Sequence, residues 1–118
     1  MYKPVALSPM VPSFNVEITR SFFIKHLNFE LALNDPEYSI VKKNEFTIHI
    51  MKAGNNISEM SFYLEVENLK NLIPKFQMLK SQTKTKGPIH QPYGMTEYHI
   101  IVPETKTLLF VGQVEQKC

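Results

Sequence analysis

Residues 38–50 of this chain line up without a gap on residues 98–110, at an offset of 60. Each copy reads as a strand, a short polar turn and a second strand, with Val, Ile, Phe and Tyr where a pleated surface uses them. A chain of 118 residues with that offset is two copies of one module. Two half-sheets that face each other make a cleft, so the positions at which the copies differ mark where the cleft is specialised.

The correspondence continues upstream. Residues 5–11 form a strand that Pro4 and Pro9 demote towards an irregular edge. Asn15 then caps a helix whose apolar face is Val16, Thr19, Phe23 and Leu27. In the second copy, residues 60–66 alternate strictly, Asn68 is the cap, and Leu69, Leu72, Ile73, Phe76 and Leu79 form the stripe. Asn15 and Asn68 are 53 apart and the hairpins 60 apart, so the second copy carries seven extra residues between helix and hairpin. They fall in residues 81–94, where Gly87-Pro88, Pro92 and Gly94 predict a long loop around one short strand. Pro74 predicts a helix that restarts after Asn71. The fold class is therefore α+β, with two βαβββ modules, each helix on the convex side of a curved sheet. The expected core is Phe22 or Phe23 with Leu27, Phe29, Ile40, Ile48, Ile50, Phe62, Leu64, Leu72, Phe76, Ile100, Leu108 and Phe110.

Composition narrows the partners. The formal charge is +2, and the 13 Lys and Arg are scattered apart from a cluster between Lys80 and Lys86. No stripe for a phosphate backbone exists, so no nucleic-acid partner is expected. Cys118 is the single cysteine, which excludes a disulfide within one chain and leaves no histidine or base beside it for nucleophilic chemistry. Prolines break up the first nine residues, unlike a signal peptide. No apolar run is long enough to span a membrane. A reducing, cytoplasmic setting is the expectation.

Several short motifs agree in order and spacing. Residues 21–29 (Ser-Phe-Phe-Ile-Lys-His-Leu-Asn-Phe) pair an aromatic couple with a helix exit in which Asn28 fills a left-handed position. Residues 93–99 (Tyr-Gly-Met-Thr-Glu-Tyr-His) read as a Gly-x-x-Glu-aromatic entry to the last hairpin, and residues 102–105 (Val-Pro-Glu-Thr) occupy the place of an Asp-Pro-Asp-Gly turn. The chain resembles the vicinal oxygen chelate superfamily, which includes glyoxalase I, extradiol dioxygenases, and fosfomycin- and bleomycin-resistance proteins. The resemblance covers about residues 5–114. It implies one glyoxalase/bleomycin-resistance-like domain over residues 1–118, with modules at 5–51 and 58–114.

Metal-dependent members of that superfamily place ligands on the first and fourth strands of each module. The resemblance puts those positions at Ser8, Ser61, His49 and Leu109. Two hydroxyls, a leucine and one imidazole do not hold a divalent cation, so no metal and no cofactor are expected. Alternation puts Phe46, Ile48 and Ile50 under the helices, with Thr47, His49 and Met51 facing the cup. It likewise puts Tyr98 and Ile100 inside, with Glu97, His99, Ile101, Ser61, Tyr63 and Glu65 in the cup. The ligand-binding candidates are His49, Ser61, Tyr63, Glu97, His99 and Leu109. A packed or solvated role is the plain alternative for each histidine, and Glu97 is also expected to pin the long loop by accepting from backbone amides. His26 reads as a helix-end cation and His90 as a residue of the loop over the cleft.

Two functions fit. One is a metal-free protein that sequesters a small molecule, resembling the bleomycin-resistance branch, whose Leu-His-Ile matches Ile48-His49-Ile50. Bleomycin itself fits poorly, because a cationic glycopeptide asks for an acidic cleft with aromatic platforms and this chain is net positive without Trp. The other is an enzyme: a metal-dependent lyase or dioxygenase with a displaced ligand set, or a metal-free isomerase using His49 and His99 as an acid–base pair. A homodimer is expected, with the first module of one chain completing the cup of the second module of its twofold mate. The linker at residues 52–59 reaches about 26 Å when extended, so either pairing is sterically open.

Overall fold

The computed structural model describes residues 1–115, so Cys118 lies outside the described residues. Its strands are β1 (Met10–Ser13), β2 (Glu30–Asn34), β3 (Tyr38–Lys43), β4 (Phe46–Lys52), β5 (Met60–Glu65), β6 (Thr85–His90), β7 (Met95–Ile101) and β8 (Thr107–Val114). Helix α1 (Val16–Leu27) follows β1, and a 3-10 turn (Leu69–Asn71), helix α2 (Ile73–Met78) and a second 3-10 turn (Leu79–Ser81) follow β5. The strands form two four-stranded sheets ordered β1-β4-β3-β2 and β5-β8-β7-β6. In each, the outer strand runs parallel to the last strand of its half while the other neighbours are antiparallel.

The first helix forms where its signals stand. The Asn15 side chain accepts from the Ile18 amide at 3.2 Å, and Asn28 closes the C-terminus in the left-handed region at φ 58°. Val16, Thr19, Phe22, Phe23 and Leu27 are buried beneath it. Pro74 stands in the first turn of α2, as a restart requires. Asn68 is not a cap. It sits at φ 59° with no capping bond, and the Leu69 amide donates instead to Oε1 of Gln113 at 2.6 Å.

Two further expectations are corrected. The first strand starts at Met10, not at residue 5. Proline has no amide hydrogen to give a ladder, and pairing begins where the Pro9 carbonyl accepts from the His49 amide. The gapless offset of 60 also reverses inside and outside between the halves. Val41, Ile48 and Ile50 point to the helices in the first sheet, and Ile100, Leu109 and Val111 do so in the second. Leu108-Leu109-Phe110-Val111 is apolar at every position, so alternation cannot fix its phase, and packing beneath α2 selects Leu109 and Val111. Leu109 is therefore a core residue, not a cup residue. Ile40, Leu108 and Phe110, expected in the core, are half-buried on the opposite face.

The helix sides of both sheets share one apolar core. A polar clasp ties the halves together: the Ser13 and Thr19 hydroxyls lie 2.6 Å apart, Thr19 donates to the Pro103 carbonyl at 2.8 Å, and the Phe14 amide donates to the Glu104 carbonyl at 2.8 Å. Lys75 adds bonds to the Lys25 carbonyl at 3.3 Å and to Asn28 at 3.0 Å. With the helix sides joined, the other face of each sheet is turned outward. Among the described residues, no helix is long and apolar enough to cross a membrane.

Candidate ligand-binding faces

The outward face of the second sheet is organised around Glu97. Strand β7 alternates Glu97, His99 and Ile101 outward against Tyr98 and Ile100 inward, as the sequence predicts. Glu97 is 0% exposed and accepts four side-chain hydrogen bonds. Tyr63 and Tyr93 donate to Oε2 at 2.9 and 2.7 Å, while His99 Nε2 and Gln91 Nε2 donate to Oε1 at 2.9 and 3.1 Å. Burial pushes the Glu97 carboxyl up, but the bonds from His99, Tyr93, Tyr63 and Gln91 outweigh it and hold its pKa at about 2. The carboxylate is charged at neutral pH and can only accept, so His99 Nε2 carries its proton. Nδ1 of His99 makes no hydrogen bond to another described residue and is the nitrogen left for a ligand.

Gly112 makes this arrangement possible. It is the β8 partner of Glu97, and a Cβ there would collide with the Tyr63 hydroxyl. The missing side chain is the space through which Tyr63, from the outer strand β5, reaches across to Glu97. Burial and the bond to Glu97 push the Tyr63 hydroxyl pKa up, so it stays protonated as a donor. Phe110 lies between the rings of Tyr63 (centroids 6.1 Å, stacked) and His99 (4.3 Å). Glu97 does hold the long loop, but through the side chains of Gln91 and Tyr93 and not through backbone amides.

The outward face of the first sheet is simpler. Tyr38, Ile40 and Lys42 of β3 stand beside Met51, His49 and Thr47 of β4. The Tyr38 hydroxyl lies 2.6 Å from Nδ1 of His49, which leaves Nε2 without a hydrogen-bond partner among the described residues. Ser8 bonds to Thr47. A groove of about 470 Å³ is lined by Ser8 and Thr47 from the first half and Ser61 and Tyr63 from the second, together with Phe29, Phe46 and Phe62. Among the described residues, no hydrogen bond, ion pair or ring contact joins His49 to Glu97, His99 or Phe110.

Ser61 and Glu65 are exposed on the second face, as expected. His90 is not in a loop: it ends β6, pairs with Thr96 and lies 2.7 Å from Glu115. His26 stands in the last turn of α1, as expected, and burial together with Lys75 and Lys25 pushes its pKa down. Sequence reading missed Tyr38, Gln91, Tyr93, Phe110 and Gly112. For Tyr38 and Phe110 a signal existed, since each is an alternate neighbour or partner of a cup histidine once the strand phase is known. For Gln91 and Tyr93 none did, because a loop side chain that bonds Glu97 has no periodicity.

The donor set does not fit a divalent metal. The strand partners of His49 and Phe110 are Met10 and Tyr63, and Ser8 and Ser61 lie two residues before them, so these positions hold a single imidazole between them. Both oxygens of Glu97 and one nitrogen of His99 are already engaged. No three His, Cys, Asp or Glu residues cluster among the described residues.

No family model matches the sequence. No curated protein matches it either. Solved structures do match along nearly the whole chain. A bleomycin resistance determinant encoded on the transposon Tn5 superposes with a TM-score of 0.78 at 20% identity, covering 96% of this chain and 100% of that one. A bleomycin-binding protein from Streptomyces verticillus, complexed with copper(II)-bleomycin, gives 0.70 at 18% identity over 99% and 100%. A lactoylglutathione lyase from Agrobacterium tumefaciens gives 0.75 at 13% over 95% and 96%. This chain has the fold of the vicinal oxygen chelate superfamily.

Proposed function

We propose that this protein binds a small molecule without the help of a metal, in a cup that a second copy of the chain completes. The observation that carries the reading is the engaged state of the second face. Its one buried carboxylate is engaged by His99 and Tyr63, which positions both side chains for recognition and leaves a single imidazole nitrogen of that pair unbonded among the described residues, too few donors for a metal site. The S. verticillus structural neighbour holds bleomycin, and that ligand class is an analogy for this chain.

The dimer follows from where the faces point. Among the described residues no hydrogen bond or ring contact joins His49 to His99, and each has one ring nitrogen without a hydrogen-bond partner. An isologous pair sets the first face of one chain against the second face of the other and makes two equivalent cups. We read residues 1–118 as one domain of two such modules.

A metal-free acid–base reaction is the second reading, favoured by the His99–Glu97 pair, whose free Nδ1 faces the cup. One experiment separates the readings. Thermal-shift screening against antibiotics and metabolites, with elemental analysis of the same sample, is expected to give a stabilising ligand and no stoichiometric Zn, Ni, Mn or Fe. A ligand at about 100 times its dissociation constant adds about 2.7 kcal/mol. Stoichiometric metal, or a ligand chemically altered during incubation, contradicts the binding reading.

A further inference from the structure

We propose that Glu97 is a subsite for a protonated amine, held shut in the free protein by Tyr93, whose hydroxyl occupies the place the ammonium takes. This deepens the binding role proposed above and rests on it. Three of the four donors to Glu97 are anchored. Tyr63 stacks on Phe110 and crosses Gly112, His99 packs on Phe110, and Gln91 is tied by its own amide to the Met95 carbonyl at 2.8 Å. Tyr93 is not. It is 63% exposed at the tip of the β6–β7 turn, makes no ring contact with the described residues, and precedes Gly94 at φ 86°. Swinging it outward gives up little packing and uncovers Oε2 of Glu97.

Electrostatics selects what enters. Glu97 is a buried anion whose only ion-pair partner among the described residues is a histidine, with no lysine or arginine reaching it. Neutral donors solvate such a charge without cancelling it, so a cation that can reach the site is favoured. The ring of Tyr63, which bonds Glu97, is stacked on that of Phe110, so aromatic surface lies close to the carboxylate for an ammonium to meet. Lys86 is paired with His99 on the edge strand and is exposed, with a flexible stem that turns to water. The net charge of +2 thus hides an acidic, aromatic subsite inside the cup.

The probes are 2-phenylethylamine, 2-phenylethanol and 3-phenylpropionate, which share a ring and differ in the end group. Each is titrated into the isotope-labelled full chain and followed by backbone amide NMR, for the natural sequence, Tyr93→Phe and Glu97→Gln. The amine is expected to bind about tenfold tighter than the alcohol. Tyr93→Phe should bind the amine as tightly or several-fold tighter, since no hydroxyl has to leave, and Glu97→Gln should bring amine and alcohol to within about twofold of each other. If Glu97→Gln does not fold, the Tyr93→Phe comparison decides alone. Equal binding of amine and alcohol to the natural protein, or weakening of the amine by Tyr93→Phe, overturns the subsite and leaves the binding role standing. Resonances that move with none of the three probes likewise overturn the subsite, and the thermal-shift screen then decides the binding role by itself.

Discussion

The two outward faces come from the same module, and they are held in opposite ways. On the second face, one buried carboxylate draws four donors from β5, β7 and the preceding loop onto itself. On the first, the rings of His49 and Tyr38 are held by a single bond to each other. The second face is therefore pre-organised, because each side chain in it is positioned by a charge that has no other way to be satisfied. The first face depends on what meets it. Two sheets of the same strand order thus differ in how their outward side chains are held.

The contrast is sharpest in what truncation does. Glu97→Ala leaves four donors facing a cavity and is expected to cost about 3–5 kcal/mol of unfolding free energy, whereas His49→Ala is expected to cost about 1 kcal/mol or less. Urea denaturation of both variants checks this, and similar losses would remove the distinction between the faces. Gly112→Ala comes next, at about 2 kcal/mol, because its methyl collides with the Tyr63 hydroxyl and breaks the link to Glu97. Gly54→Ala, where a Cβ meets nothing, serves as its control.

Acid gives a comparable signature. The Glu97 pKa is about 2 in the folded chain and near the ordinary 4.5 when unfolded, so its bonds stabilise fully above about 4.5 and are lost as pH falls towards 2. The loss is on the order of 2 kcal/mol and is read from unfolding free energies between those limits. Tyr38→Phe should retain that acid profile and lose only about 0.5–1 kcal/mol, because it removes one bond from the first face.

Much of the fold was legible because its signals are local. The Asn15 cap, the left-handed Asn28 and the restart at Pro74 each depend on a few neighbours, and each appears where residue chemistry puts it. The strand phase of β8 was not legible, since four successive apolar residues fit either face and only packing under α2 chooses between them. That one ambiguity moved Leu109 into the expected cup and hid Phe110. Glu97 and His99 were legible from alternation, but what fixes them was not. Tyr63 reaches Glu97 over a glycine 49 residues away in sequence, and Tyr93 reaches it from a loop. Contacts of that range are made by the tertiary fold and leave no spacing to read.

The pairing of unlike faces across two chains is tested most directly by complementation between two defective variants. His49→Ala disables the first face and His99→Ala the second, so each alone should fail to bind the ligand that the thermal-shift screen identifies. Unfolded together in equal amounts and refolded, half of the dimers are mixed, and each mixed dimer rebuilds one intact cup. Calorimetry should then recover about a quarter of the binding sites of the natural protein, at its natural affinity. No recovered binding, in a sample that mass spectrometry shows to contain mixed dimers, would place each cup within a single chain.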